Sequence, residues 1–116
     1  MAMEATLVTV VETKAFTASA KGRMKPQEVD ALIDVLATEP ECGDLIQGTG
    51  GLRKVRFGTG GKGKRGSVRV VYYFYNEAMP VFLLTVFAKN EKDNLSKAER
   101  NTLAKVARTL RESYGE

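Results

Sequence analysis

An α+β domain is predicted by three observations. A β-branched run lies near the start, two helical stretches follow it, and three strand-like runs then precede a helix with a clear start signal. The order is an N-terminal strand, two helices, a three-stranded antiparallel meander and a C-terminal helix. The 116 residues are enough for one domain, taken as residues 1–116, and too few for two. A chain of this length removes roughly two thirds of its unfolded surface from water, so its core needs no staple.

Residues 6–12 (TLVTVVE) are rich in β-branched side chains and read as the first strand. Thr13 is placed to cap a short helix running through Ala20, which Gly22 interrupts. Pro26 fits the first position of a second helix, where its missing N–H costs nothing. Val29, Leu32, Ile33 and Leu36 follow at i, i+3, i+4 and i+7, the apolar stripe of an amphipathic helix, and Pro40 stops it. Residues 39–51 (EPECGDLIQGTGG) form a loop by their glycine and proline content.

Residues 52–57 alternate as a strand does, and residues 58–66 (GTGGKGKRG) make a flexible basic connection. Residues 67–76 (SVRVVYYFYN) form a long strand of valines and aromatics, and residues 76–80 turn the chain. Residues 81–88 (VFLLTVFA) are apolar on both faces, as a central strand covered on both sides requires. Leu95 leads into the last helix. Ser96 and Glu99 form a capping box, and Leu103, Val106, Ala107, Leu110 and Tyr114 line one face.

Composition narrows the function. Cys42 is the one cysteine, so an internal disulfide is impossible, and it is expected as a small half-buried side chain in the loop. Residues 1–11 lack the basic segment and long apolar run of a signal peptide, and the apolar stretch 80–88 is too short to cross a bilayer. A soluble cytoplasmic protein is expected. The absence of histidine removes the usual general base, the usual zinc ligand and any Ser/His or Cys/His pair. An enzyme built on this chain must move protons with Lys, Arg, Glu, Asp or Tyr.

The net charge of +4 is modest, but its distribution is not. From Leu52 to Asn76 there is no acidic residue, while Arg53, Lys54, Arg56, Lys62, Lys64, Arg65 and Arg69 all fall there, with tyrosines just beyond. Such a block is an electrostatic footprint for polyanions, RNA or DNA first. Alternation sets Lys54 and Arg56 on one side of their strand and Val55 and Phe57 on the other. Arg69 shares a face with Val71, Tyr73 and Tyr75 in the next strand. A hairpin pairing brings Arg69 beside Lys54 and Arg56, either as a solvated basic face or as a seat for a phosphate.

Gly58, Gly63 and Lys64 fit a phosphate-loop spacing, but Arg65 stands where Ser or Thr must hold magnesium, and a strand follows where a helix is needed. A mobile connection or a basic arm for an RNA backbone fits better. Lys89 follows the apolar run 81–88, so its amine is expected to be partly desolvated at the end of a strand. Glu39, Glu41 and Asp44 lack the spacing of a calcium loop, and no metal site is expected.

Four pieces together resemble the RelE/ParE toxin superfamily, most closely its HigB-like branch. The first is the helix followed by Pro40, Gly43, Asp44 and Ile46; the second is Gly50-Gly51-Leu52-Arg53-Lys54-Val55-Arg56. The third is Gly66-Ser67-Val68-Arg69-Val70-Val71-Tyr72-Tyr73, and the fourth Phe87-Ala88-Lys89-Asn90-Glu91-Lys92. The resemblance spans nearly the whole chain.

It implies a microbial-ribonuclease-like fold and the toxin role in a type II toxin–antitoxin module. It also implies a partner antitoxin, HigA-like with a helix-turn-helix domain, through which alone operator DNA is met. The activity implied is cleavage of mRNA in the ribosomal A site, by attack of a 2′-hydroxyl on the adjacent phosphate, with no metal or cofactor. By position, Lys54 and Arg56 match the basic pair of the second strand, Arg69 the phosphate-stabilising arginine, and Lys89 the basic residue ending the fourth strand.

The roles implied are these. Lys54 serves as base or electrostatic helper, Arg56 and Arg69 hold the pentavalent phosphate, and Lys89 or a nearby acid protonates the leaving oxygen. Arg53, Lys62, Lys64, Arg65, Tyr73 and Lys92 are taken as RNA contacts, with Tyr73 or Tyr75 stacking a base or packing in the core. Asn90 stands where RelE itself has a second basic residue, and Tyr114 lies too late to match its C-terminal catalytic tyrosine. Two alternatives remain open at this point: a ParE-like poison of DNA gyrase, and a non-catalytic nucleic-acid or ribosome-binding protein.

Overall fold

The computed structural model describes residues 7–59 and 66–114. Its elements are β1 (Val10–Glu12), α1 (Lys14–Ala20), α2 (Pro26–Thr38), β2 (Asp44–Leu45), β3 (Leu52–Thr59), β4 (Gly66–Tyr73), β5 (Val81–Ala88) and α3 (Lys97–Tyr114). The predicted α+β order holds. One mixed sheet runs β1-β5-β4-β3-β2, in which β3, β4 and β5 form the antiparallel meander and β1 joins β5 in parallel.

Each helix begins where its sequence signal lies. The Thr13 hydroxyl accepts from Phe16 N at 3.1 Å and donates to Leu83 O at 2.7 Å, so one side chain caps α1 and ties it to β5. Pro26 opens α2, and Glu28 accepts from the Lys25 amide at 2.8 Å. At α3 the Ser96 hydroxyl accepts from Glu99 N at 3.1 Å while Glu99 accepts from Ser96 N at 2.8 Å, the reciprocal bonds of a capping box.

The sheet is covered on both faces. Phe16, Leu32 and Leu36 of α1 and α2 pack on Val70, Tyr72 and Leu83. On the other face Leu52, Val71, Tyr73, Phe82 and Phe87 pack with Ala107 of α3. Leu84 is an extra residue in β5, since Tyr72 pairs with Leu83 and Val71 with Thr85. This bulge switches the alternation, and so Phe87 lies opposite Arg69 on the α3 face.

Several boundaries differ from expectation. The first strand shrinks to Val10–Glu12, and Thr6 lies outside the described residues. The Val8 amide bonds to Ala37 O at 3.0 Å, tying the chain before β1 to the end of α2. β4 ends at Tyr73, because the Asn76 side chain and carbonyl accept from Ala78 N and Met79 N and fold the next residues into a turn. The loop 39–51 contains the short β2, and Cys42 within it is exposed rather than half-buried. Along α3, Ala107 is buried and Leu103 and Leu110 partly so, but Val106 and Tyr114 are exposed, since one helix on an open sheet buries only a narrow strip. Among the described residues no helix is long and apolar enough to cross a membrane.

Candidate functional site

The β3–β4 ladder assembles the site. Arg56 lies directly opposite Arg69, and Lys54 lies opposite Val71. Leu52, Val71 and Tyr73 are buried on the α3 face, so alternation puts Lys54, Arg56 and Arg69 on that same face, just beyond the helix-covered core. The grouping expected from sequence is therefore present. Like charges directly opposite on a ladder are unfavourable, and nothing acidic stands between them on these two strands.

Arg56 lines an open cleft of about 1040 Å³ with Lys21, Arg23, Ser67, Lys89 and Asp93. Arg69 stands beside it and donates from Nη1 to the Ser67 hydroxyl at 3.1 Å. Lys54 donates to the Asn94 side-chain oxygen, which joins β3 to the segment entering α3. Lys89 is exposed, so the partial desolvation expected for its amine is absent; the strand ends there and the chain turns into solvent. The Lys89 amide donates to Ser67 O at 3.4 Å, holding this turn to β4.

Two carboxylates share the cleft with the cations. Glu91 accepts from Arg23 Nε at 2.8 Å and Nη2 at 2.6 Å, and from the Ala88 amide at 2.7 Å. The Arg23 hydrogen bonds, then that of the Ala88 amide, hold the Glu91 carboxyl down to about 2. The same pairing raises the Arg23 guanidinium further above its ordinary value. Arg23 also donates to Ser19 O at 2.7 Å, so it links the end of α1 to the turn after β5. The charge of Glu91 is thus matched locally, and the cleft keeps Lys21, Arg56 and Lys89 against Asp93.

The remaining expected RNA contacts divide. Arg53 points to the opposite face of β3 from Lys54 and Arg56, and its Nη1 donates to Glu41 O and Gly43 O at 3.0 and 2.7 Å. It pins the loop before β2 instead of joining the cleft. The Tyr73 ring is fully buried under α3, with its hydroxyl accepting from Arg111 at 3.3 Å, so of the two roles open to it the core role holds. Lys92 pairs with Glu99 at 2.5 Å and lies over the Phe87 ring, 5.0 Å from its centroid. Lys62, Lys64 and Arg65 lie outside the described residues, as does most of the phosphate-loop spacing; β4 then begins at Gly66 as a strand.

Sequence reading missed Arg23, Ser67, Asp93 and Asn94. Ser67 carried a usable signal, since i and i+2 on a strand share a face with Arg69. Arg23 and Asn94 carried none, because each reaches the site from a loop by tertiary packing. Among the described residues no group of three or more His, Cys, Asp or Glu is placed to hold a metal.

Comparison with known families matches residues 8–115 to the RelE toxin of the RelE/RelB toxin–antitoxin system. That span runs from just before β1 to the end of α3 and includes every residue of the cleft. The toxins of this family are typically ribonucleases and pair with an antitoxin. The chain, with its cationic β3–β4 face and five-stranded sheet, belongs to the RelE toxin family.

Proposed function

We propose that this protein is a ribosome-dependent, metal-independent mRNA endoribonuclease of the HigB-like branch, the toxin of a type II module. The observation that carries the reading is the direct pairing of Arg56 with Arg69 on an open sheet face beside a cleft that also holds Lys89. Two guanidiniums set side by side repel each other until an anion sits between them. A phosphate gaining charge in a transition state is the anion they would favour most.

In the proposed reaction a 2′-oxygen bonds to the adjacent phosphorus and the bond to the 5′-oxygen breaks. Lys54 takes the hydroxyl proton or lowers its cost electrostatically. Arg56 and Arg69 neutralise the pentavalent oxygens. Lys89, or a nearby acid, returns a proton to the leaving oxygen. The cognate antitoxin, proposed as HigA-like with a helix-turn-helix domain, would block the cleft with an acidic segment.

Primer extension on a defined mRNA in a purified translation system tests this, with wild type, Arg69→Ala and a control without ribosomes. Cuts that need both ribosomes and Arg69 are expected, with the variant slower by about 10²–10³. Folded wild type that makes no cuts in any condition removes the ribonuclease and favours a gyrase poison or a binding module.

A further inference from the structure

Helix α3 carries cations that the cleft does not use. Lys97, Arg100, Arg108 and Arg111 fall within about 80° of the helix circumference at 3.6 residues per turn, and neither Glu99 nor Glu112 lies in that arc. Among the described residues none of the four is in an ion pair. Cations at neighbouring helical positions raise one another's energy, and the one carboxylate close to the arc is Glu112, a turn beyond Arg108 and next to Arg111.

The stripe has a fixed position. At its far end Arg111 donates to the Tyr73 hydroxyl, and its guanidinium lies 5.4 Å from the centroid of the Tyr75 ring. Tyr75 is 49 % exposed. At its near end α3 starts just after Asn94, which holds Lys54 of the site. The stripe therefore leads from beside Lys54 and Asn94 to the half-exposed Tyr75 ring, which also stacks with Tyr73, over about 21 Å at 1.5 Å per residue.

A row of unpaired cations ending at an exposed ring matches the chemistry of a single nucleic-acid strand, with phosphates on the cations and a base on the ring. We propose that the α3 stripe is a second RNA contact outside the cleft, which grips a single-stranded segment by its phosphates between Lys97 and Arg111. RNA as the ligand rests on the ribonuclease reading. The stripe extends that reading to a surface that does no chemistry.

The test is fluorescence anisotropy of the full chain with a labelled, single-stranded 2′-O-methyl oligoribonucleotide of 20 nucleotides, which lacks the attacking hydroxyl. Lys97→Gln combined with Arg108→Gln alters two exposed positions to a good helix former, and a circular dichroism melt checks the fold. The double variant is expected to bind about tenfold more weakly at low salt. The slope of log affinity against log salt should flatten by about 1.4, two phosphates at 0.7 each. Arg108→Lys, which keeps the charge, should retain both.

Unchanged affinity and slope in the folded double variant overturn the proposal. So does a variant that binds RNA normally but loses binding to poly-glutamate, which makes the stripe a dock for acidic protein. The ribosome cleavage assay separates the two readings. A negative stripe result with Arg69-dependent cuts sinks the stripe alone, and a positive one from a wild type that makes no cuts sinks the ribonuclease alone.

Discussion

Arg23 and Glu91 clamp the end of α1 to the turn after β5 through two N–O contacts of 2.8 and 2.6 Å. The clamp spans the same cleft that Arg56 and Lys89 line. It ties the turn carrying Lys89 to the end of α1.

Glu91 has a carboxyl lowered to about 2, from an ordinary value of 4.5. A carboxylate depressed in the folded state contributes stability above its unfolded value and loses it as pH falls through the folded one. Glu91→Gln should therefore melt at a lower temperature than wild type at pH 7, and the gap should close between about pH 4.5 and pH 2. The side chains are exposed, so added salt should shrink it too. Thermal melts of both proteins across that range check this; a gap independent of pH refutes the clamp as an ionic one.

Arg56 and Arg69 trade stability for charge density. Removing one of two like charges opposed on a ladder should relieve up to about 1 kcal/mol. Arg56→Gln is expected to raise the urea midpoint at low salt, to lose that gain in high salt, and to cut RNA more slowly. A variant no more stable at any salt concentration would show that the two guanidiniums do not repel.

Tyr72 holds the loop before β2 from inside the core. Its hydroxyl accepts from Gly43 N at 2.9 Å and donates to Pro40 O at 2.8 Å, and burial pushes the phenol well above its ordinary value. Tyr72→Phe strands a buried amide and should cost about 1–3 kcal/mol in urea unfolding. Gly43→Ala should cost a similar ~1–3 kcal/mol, because its new carbon would sit 2.8 Å from the Tyr72 oxygen and 3.0 Å from the Lys54 carbonyl. Neutral results at both positions would mean that the loop is held elsewhere.

Tyr73 separates a packing role from a stacking one. Its ring is fully buried, so Tyr73→Ala should lose about 3–5 kcal/mol of stability, whereas Tyr73→Phe, which deletes only the hydroxyl bonded to Arg111, should fold and cleave nearly as wild type. Cleavage lost in a stable Tyr73→Phe protein would return the side chain to the RNA.

The sequence by itself determined the order of elements and the cationic face. Caps at Thr13 and Ser96, the proline at 26 and the stripe from Val29 to Leu36 are local signals, readable because a helix end is decided by side chains within a turn of it. Period-two alternation sets Lys54 and Arg56 on one face of β3, since neighbouring side chains of a strand must diverge, and a hairpin pairing adds Arg69 to it. Tertiary structure alone decided the rest. The bulge at Leu84 resets the alternation of β5, and no local pattern marks it. Arg53 carries the same charge as Arg56, yet the odd offset of three residues sends it to the other face and onto the carbonyls of Glu41 and Gly43. Arg23, Asn94 and Arg111 reach their partners across the fold, and the energy of a contact between segments distant in sequence is written in neither segment alone.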